Sequence, residues 1–506
     1  MLVIVTAALI SCSVGKMPPL PVHPNIVLIL TDDVATGDLA YMPKTKQLIA
    51  DQGVTFNEFI YGMALCCPSR VSILRGQYPH NTQIIGNKLP DGGFEKVYQL
   101  GLEQSTVAVW LQNAGYRTAL IGKYLNGYPA RATETYIPPG WTEWYSSVGD
   151  AVHMDVAYGE YNYTLNENGK LVKYGNAPED YGTDVYGAKT LDFIDRSAAA
   201  GEPFFAYVSL YAPHNPSTPA PRHTDLFQDL KLPRSPSFNE ADIKDKSRFY
   251  NRDPLLTEAE IADMETKYRL RIQSLQAVDE LVENVVNKLE ALGQLDNTYI
   301  FFASDNGFHL GEHRLLPGKA TAFEEDIRVP MLVRGPGVRS GVVVDKLCGN
   351  IDMAPTFADL AGATVPDFVD GRSLVPLMRG ESVSNWRNAF LILRGRTFTD
   401  ESSSTNLLFQ AVFNTPFGAY TREEEPLDSP QDNKPGGQFR GLRTTQYTYI
   451  EFVNGDIELY DLKNDPYELQ NIASTASPKL LAQLEKWLSE LSTCTGNSCR
   501  SLDVKP

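Results

Sequence analysis

Five short runs of apolar residues recur along the chain, and each has the length of a β-strand. The first run, residues 25–30, reads NIVLIL and is apolar at every position after the asparagine. Unbroken apolarity is typical of a strand that is buried on both faces, as strands of parallel sheets are. Four later runs have the same character: 118–121, 204–210, 299–303 and 331–333.

Segments with the apolar spacing of helices lie between these runs, at 105–114, 185–199 and 258–292. Strands that alternate with helices predict an α/β fold, with a mostly parallel central sheet flanked by helices. In such sheets the chemistry gathers beyond the carboxyl ends of the strands.

The pattern changes after about residue 375. Residues 397–437 are polar, contain Pro and Gly and lack periodicity, which predicts long loops or a lid. Runs 447–452 and 457–462 flank Asn454-Gly455, a hairpin signal, and 478–491 has an amphipathic helical pattern. We therefore expect an α/β domain over residues 24–375 and a smaller C-terminal α+β domain over 376–506.

Composition narrows the class of partner. The chain has 506 residues with a hydrophobic content of 42%, ordinary for a globular protein, and a net charge of −17. This charge argues against nucleic acid or an anionic membrane as a general partner. An anionic substrate would need a local basic pocket, helped by a metal.

The N-terminus and the cysteines indicate the compartment. Residues 1–15 form an apolar run that is too short to span a bilayer, and we interpret residues 1–20 as an export signal. Cys12 lies in a sequence similar to a lipoprotein cleavage box, so a lipid anchor is the alternative. No later segment is long and apolar enough to be transmembrane. Cys494 and Cys499 flank a short turn and could close a small disulfide loop in an oxidising compartment.

Two pairs of polar residues follow predicted buried strands. Asp32 and Asp33 come just after the first apolar run, and Asp305 and Asn306 come just after the run 299–303. A helix N-cap would explain one aspartate, but paired buried carboxylates are costly unless a cation or hydrogen bonds compensate. Their oxygens are hard ligands that suit Ca²⁺ or Mg²⁺, so the four residues are candidate metal ligands.

A cysteine pair opens a predicted helix. Residues 65–76 read LCCPSRVSILRG, and Pro68 suits a first helical turn. Packing alone could explain Cys66 and Cys67, because free cysteine behaves as a small apolar residue. The segment nevertheless resembles the signature of the type I sulfatases, Cys-x-Pro-Ser-Arg followed by Leu-x-Gly. In that family the first cysteine is oxidised to formylglycine, which makes Cys66 the modified residue and Cys67 the variable position.

The resemblance implies an alkaline-phosphatase-like fold, a formylglycine-generating enzyme as maturation partner and roles for further residues. It implies a cation, usually Ca²⁺ with Mg²⁺ as the alternative, held by Asp32, Asp33, Cys66, Asp305 and Asn306. It implies that Lys123 and Lys319 clamp the sulfate oxygens and that Arg70 ties the nucleophile to the site. His214, in Ala-Pro-His-Asn-Pro, matches the family histidine that is proposed to protonate the leaving alcohol.

One position departs from the wider family. Many sulfatases have a histidine two residues after the first lysine, where this chain has Leu125. His309 and His313, close to the second metal pair in sequence, are candidates for substrate contact or ordinary loop histidines.

The resemblance is stronger to the N-acetylglucosamine-6-sulfatases, in which Lys-Tyr-Leu-Asn, here 123–126, is usual. It implies hydrolysis of a 6-O-sulfate on N-acetylglucosamine in glycosaminoglycan-type glycans. The alternatives are a generic arylsulfatase, a phosphonate monoester hydrolase or phosphodiesterase of the same fold, a binding protein with a dead site, or an unmodified thiol at Cys66 acting as nucleophile.

Overall fold

The apolar runs of the sequence become the central strands of a large sheet. In the computed structural model, which describes residues 22–149, 156–395 and 437–505, these parts of the chain form a ten-stranded mixed sheet, a two-stranded pair and a four-stranded antiparallel sheet. The predicted signal segment, Cys12 and residues 397–436 lie outside the described residues.

The strands run in chain order as follows: β1 Asn25–Thr31, β2 Val54–Phe56, β3 Phe59–Ile60, β4 Arg117–Gly122, β5 Glu143–Ser147, β6 Thr164–Glu167, β7 Lys170–Lys173, β8 Phe204–Ser209, β9 Thr298–Ser304, β10 Met331–Arg334, β11 Val342–Val344, β12 Cys348–Gly349, β13 Ala389–Arg394, β14 Phe439–Thr444, β15 Tyr447–Phe452 and β16 Ile457–Asp461.

The α-helices of the described residues are α1 Pro43–Thr45, α2 Cys66–Arg75, α3 Pro79–Thr82, α4 Gly93–Gln99, α5 Val107–Asn113, α6 Gly182–Ala200, α7 Glu258–Ala291, α8 Glu324–Ile327, α9 Met353–Ala361, α10 Val375–Met378, α11 Pro478–Leu491 and α12 Asn497–Leu502. None of them combines the length and the apolarity that a membrane crossing requires.

Five neighbouring strands of the large sheet are parallel and set its architecture. Its strand order is β11-β2-β10-β9-β1-β8-β4-β5-β6-β7, and β9, β1, β8, β4 and β5 all point the same way. Strand β1 is fully buried along its length, as its unbroken apolarity predicts. The expected α/β fold with a mostly parallel central sheet is therefore confirmed.

Strand β10 differs from the expectation drawn from its apolar run. It is central and largely buried, but it pairs antiparallel with both β9 and β2. An antiparallel neighbour can return directly beside the preceding strand, whereas a parallel one needs a crossover. Apolarity reports burial and carries no information on this direction.

The long helix α7 supports the sheet edge at which β1 ends. Its N-terminus has a capping box, in which Glu260 N–H donates to Thr257 Oγ1 at 3.2 Å and Thr257 N–H donates to Glu260 Oε2 at 2.7 Å. From the middle of the helix, the buried guanidinium of Arg271 donates to the carbonyl of Asp33 and to Asp38 Oδ2. The helix thereby holds the backbone just after β1.

The C-terminal sheet has the order β13-β14-β15-β16. The hairpin predicted at Asn454-Gly455 joins β15 to β16, and helix α11 occupies the predicted residues. Apolar residues of this sheet and of α11 form one buried cluster with residues of the first part of the chain, including Ile60 and Phe323. Cys494 and Cys499, whose pairing the sequence left open, form a disulfide.

A buried glutamate joins the start of α6 to the preceding loop. Glu160 Oε2 accepts from Thr183 N–H at 2.6 Å, and burial raises the pKa of Glu160 to about 8, against opposing hydrogen bonds from Thr183. Because the folded state holds its proton more tightly than the unfolded chain does, this group stabilises the fold most at low pH, and that contribution is lost as pH rises towards 8.

The substitution Glu160→Gln is therefore expected to flatten the pH dependence of stability. Between pH 5 and pH 8 the wild type should lose on the order of a few kcal/mol more unfolding free energy than the variant. Urea unfolding at several pH values measures this, with Glu258→Gln at an exposed site as control. Parallel curves for Glu160→Gln and wild type would contradict the expectation.

Candidate active site

The predicted site residues meet at the carboxyl edge of four adjacent parallel strands. In the order β9-β1-β8-β4, these strands lead into Asp305-Asn306, Asp32-Asp33, the loop carrying His214, and Lys123. Because carboxyl ends of neighbouring parallel strands share one edge, residues far apart in the chain come together. All six of these side chains are buried.

The backbone at the start of the Lys123 segment lies close to the end of β8. Gly122, the last residue of β4, has a φ of 107° and lies so near the carbonyl of Ser209 that a Cβ would overlap it. Lys123 N–H then donates to the same Ser209 carbonyl at 2.8 Å. The end of β4 is thus pressed against the end of β8.

Helix α2 presents Cys66 in its first turn, facing the same edge. Cys66 Sγ lies 2.9 Å from Lys319 Nζ and 3.6 Å from Asp32 Oδ1. Burial, and after it the charge of Asp32, raises the pKa of the thiol well above its usual value. An unmodified Cys66 would therefore be a protonated thiol, which weakens the alternative of a thiolate nucleophile.

Arg70, one turn further along α2, links the helix to the carboxylates. Its Nε donates to Asp305 Oδ2 at 2.8 Å, its Nη2 to Asp32 Oδ2 at 3.4 Å, and its Nη1 to Ser209 Oγ. Ser69 Oγ also donates to the Asp305 carbonyl. A buried guanidinium shared by two aspartates fixes the position of α2, and with it that of Cys66.

The two predicted lysines form ion pairs with the aspartates that follow β1. Lys123 Nζ donates to Asp32 Oδ2, and Lys319 Nζ donates to Asp33 Oδ1. Burial alone would lower the pKa of Lys123, but the charge of Asp32 outweighs it and raises that pKa. The site therefore holds two lysine cations beside the cysteine.

His214 turns one ring nitrogen towards this cluster. Its Nδ1 lies 2.8 Å from the carbonyl of Asn215, a bond in which Nδ1–H donates, and its Nε2 lies 3.7 Å from Asp33 Oδ2. Burial lowers the pKa of the imidazole to about 4. The buried Nε2 makes no hydrogen bond to any residue that the structure describes.

The oxygen atoms at the edge fit a divalent cation. Asp32, Asp33 and Asp305 each offer an oxygen within 4.8 Å of the others. Asp33 Oδ2 and Asn306 Oδ1 are buried and accept no hydrogen bond within the described part of the chain. Buried oxygens without donors are costly unless a ligand satisfies them, and carboxylate and amide oxygens suit Ca²⁺ or Mg²⁺.

His309 and His313 have protein partners of their own. His309 Nδ1 lies 2.9 Å from Asp326 Oδ1, and His313 Nδ1 lies 2.7 Å from Glu240 Oε2. The ring of His313 also stacks on Phe323 at 3.8 Å between centroids. These contacts supply a structural role for both histidines, and their contact with substrate stays a prediction.

Three side chains around the site are missed by reasoning from the sequence. Ser209 Oγ accepts a hydrogen bond from Arg70. Its position at the end of a buried strand could have identified it as a site residue. Asp326 accepts from Thr321 N–H at 2.8 Å while it faces His309, and so holds the loop of Lys319. Tyr158 lies against Lys123 and His214. No local pattern marks Asp326 or Tyr158.

Leu125 takes no part in the polar cluster. It is 3% exposed and belongs to the apolar core. The side chain at this position therefore packs, as a leucine should.

Comparison with known proteins places the chain in a family. The Sulfatase family model matches residues 24–363. The N-acetylglucosamine-6-sulfatase of Homo sapiens is 36% identical over 502 residues, which cover 95% of this chain and 87% of that protein. The N-acetylglucosamine-6-sulfatase of Capra hircus is 36% identical over 499 residues, which cover 95% and 85%.

A solved structure agrees in fold over nearly the whole chain. It is a complex with its substrate D-glucosamine-2-N,6-O-disulfate, and it superposes with a TM-score of 0.72 at 26% identity, covering 95% of this chain and 99% of that one. The chain belongs to the sulfatase family, with its alkaline-phosphatase-like fold, and is a hydrolase of sulfate esters.

Proposed function

We propose that this sulfatase uses a formylglycine derived from Cys66 to remove the 6-O-sulfate of N-acetylglucosamine from glycosaminoglycan-type glycans. The observation that carries the proposal is the position of Cys66. Its Sγ lies in the first turn of α2, beside Lys319 and Asp32, at the edge where three carboxylates converge. The relatives described above, which match nearly the whole chain, support the substrate.

Two groups would supply the central chemistry. A hydrated aldehyde at position 66 would provide a hydroxyl to attack sulfur, and a divalent cation, Ca²⁺ or alternatively Mg²⁺, would lower the pKa of that hydroxyl. The proposed cation ligands are Asp32, Asp33, Asp305, Asn306 and the modified residue 66. The chain's own side chains would bind and orient the sulfate ester.

The lysines would neutralise charge on the sulfate. Lys123 Nζ pairs with Asp32, and Lys319 Nζ pairs with Asp33 and lies 4.0 Å from Asp32 Oδ1. Fixed cations at these positions stabilise the negative charge that accumulates on the sulfate oxygens during displacement. Arg70 would keep residue 66 in line by holding α2 on Asp32 and Asp305.

His214 would protonate the leaving alcohol. Its Nδ1–H is engaged by the Asn215 carbonyl, which directs Nε2 into the site. The pKa of the imidazole is lowered by burial, but an anionic sulfate ester beside Nε2 favours the protonated form. The imidazolium can then donate its Nε2 proton to the departing sugar oxygen.

Maturation and location complete the proposal. A formylglycine-generating enzyme would act on Cys66, and the N-terminal residues would direct export, to the periplasm, the lysosome or the exterior according to the source. A lipid anchor at Cys12 is the alternative to cleavage of the signal.

Desulfation of isomeric sugars tests the substrate. We expect release of sulfate from N-acetylglucosamine 6-sulfate with a kcat/KM at least about tenfold above that for the 3- and 4-sulfate isomers, because hydroxyl recognition discriminates strongly. Ion chromatography measures the released sulfate. A preference for aryl sulfates over all sugar isomers would favour a generic arylsulfatase, and a preference for aryl phosphodiesters would favour phosphonate or phosphodiester hydrolysis.

A further inference from the structure

We propose that Tyr158 is a positioning residue that sets Lys123 and His214 relative to each other, and so aims the proton donor at the leaving group. The inference rests on the roles given to these two residues under the proposed function. Tyr158 lies in the 3₁₀ turn Val156–Gly159, between β5 and β6, and it is partly buried.

One aromatic ring contacts both residues. Lys123 Nζ lies 4.7 Å from the centroid of the Tyr158 ring. The imidazole of His214 lies 4.2 Å from it between centroids, with the two planes at 36°. The negative face of a phenol ring attracts a cation within this range. The ring therefore attracts the ammonium group and restricts the orientation of the imidazole.

Tyr158 is also attached to the two loops that carry these side chains. Asn126 Nδ2, from the loop after β4, donates to Tyr158 Oη at 3.4 Å. Tyr211, from the loop after β8, packs edge-on against the ring at 5.0 Å, and His214 N–H donates to the Tyr211 carbonyl at 2.9 Å. Contacts to both loops mean that moving the ring disturbs both catalytic groups.

Hydrogen bonds to the start of α6 hold the turn that carries Tyr158. Glu160 Oε2 accepts from Thr183 N–H, and the Glu160 carbonyl accepts from Gly182 N–H at 2.9 Å. These bonds tie the turn to the N-terminus of α6, which packs on the sheet. The ring is thus supported by a rigid element, as a side chain that positions others should be.

The Tyr158 ring affects proton donation by His214 more than sulfate binding by Lys123. Lys123 keeps its ion pair with Asp32 when the ring is removed, whereas His214 Nε2 makes no hydrogen bond within the described residues. The direction of Nε2 is set by the bond from Nδ1–H to the Asn215 carbonyl and by the packing of the imidazole against the Tyr158 ring, and loss of the ring removes the second of these restraints. Loss of the ring should weaken proton donation more than sulfate binding.

A series of aryl sulfates with different leaving groups tests this inference. Departure of a poor leaving group needs the proton, whereas departure of a good one such as 4-nitrophenol does not. Misplacing the proton donor should therefore make log kcat fall more steeply with increasing pKa of the leaving group. For Tyr158→Leu we expect kcat on phenyl sulfate to fall about 10- to 100-fold, with a much smaller fall on 4-nitrophenyl sulfate and little change in KM.

Two further variants separate positioning from stability. Tyr158→Phe keeps the ring face that contacts Lys123 and His214, and it should remain within about fivefold of wild type on both substrates. Tyr161→Leu removes a partly buried ring of the same segment, which packs at a tilt against Tyr181 with 5.6 Å between centroids, and it should leave the leaving-group dependence unchanged. Thermal melting and the extent of modification at residue 66 are measured for every variant.

The same series separates failure of this inference from failure of the proposed function. If Tyr158→Leu lowers kcat on all aryl sulfates by the same factor, or does not lower it at all, Tyr158 does not aim the proton donor and the inference is overturned. If the wild type ignores N-acetylglucosamine 6-sulfate but the leaving-group dependence still steepens in Tyr158→Leu, the substrate proposal fails and the inference stands.

Discussion

Replacement of Cys66 by alanine or serine is expected to reduce turnover of sulfate esters by a factor on the order of 10³ or more while the fold survives. Alanine has no heteroatom from which the aldehyde could form, and an unmodified serine has a single hydroxyl in place of the two of the hydrated aldehyde. Serine could attack sulfur once, but it has no route for expelling the sulfate by collapse to an aldehyde. Steady-state assays on 4-nitrophenyl sulfate, with melting curves, measure both parts.

Cys67→Ala is the matched control, because Cys67 is the adjacent residue of the same helix. Cys67 is buried in the apolar core, and its N–H donates to Asn87 Oδ1 at 3.0 Å through the backbone, which alanine retains. This variant should keep most of the activity. Normal multiple turnover by Cys66→Ala would rule out residue 66 as the nucleophile, and normal multiple turnover by Cys66→Ser with an unmodified serine would rule out the need for an aldehyde.

Mass spectrometry provides a direct observation of the same residue. Trypsin should release residues 47–70, which contain neither lysine nor arginine before Arg70. An aldehyde at position 66 in this peptide is the expected result. An intact thiol in fully active protein would overturn the formylglycine mechanism while leaving membership of the sulfatase family unaffected.

Removal of divalent cations is expected to abolish activity and to lower the melting temperature of the protein. The physical reason is the concentration of buried oxygens at the sheet edge, where Asp32, Asp33 and Asp305 converge and two oxygens lack hydrogen bonds among the described residues. A cation that binds only the folded state stabilises it by about 2.7 kcal/mol when the free cation concentration is one hundred times the dissociation constant. Chelation followed by addition of Ca²⁺ or Mg²⁺ should restore both activity and melting temperature.

Asn306→Ala tests the ligand set with a readout other than activity. It removes one of the two oxygens without hydrogen bonds, and we expect the dissociation constant for Ca²⁺, measured by calorimetry, to rise at least about tenfold. Asn464→Ala, at an exposed turn of the C-terminal sheet, is the control. An unchanged affinity in Asn306→Ala would remove this residue from the ligand set. Full activity in protein shown to be metal-free would contradict the cation site altogether.

The central strands and the residues that follow them could be predicted from the sequence. Runs 25–30 and 299–303 lie within β1 and β9, because strands buried on both faces must be apolar at every position. The polar pairs after them could be identified because charge directly after such a run is unusual. The hairpin at Asn454-Gly455 and helix α11 were equally accessible, since turn chemistry and amphipathic periodicity are local properties.

Other features depend on contacts between distant parts of the chain. The antiparallel direction of β10 is decided by pairing with β9 and β2, and apolarity is the same in either direction. The partners that the histidines find, Asp326 for His309 and Glu240 for His313, likewise have no signature in the local sequence.

The sequence by itself determined the family, the kinds of side chain available for chemistry and the strands that present them. Only the tertiary structure decided that β9, β1, β8 and β4 lie side by side, that Lys123 pairs with Asp32 and Lys319 with Asp33, and that Tyr158 lies against both Lys123 and His214. The physical reason is that burial and periodicity are imposed residue by residue along the chain, whereas strand order and side-chain contacts arise from packing between segments separated by tens to hundreds of residues.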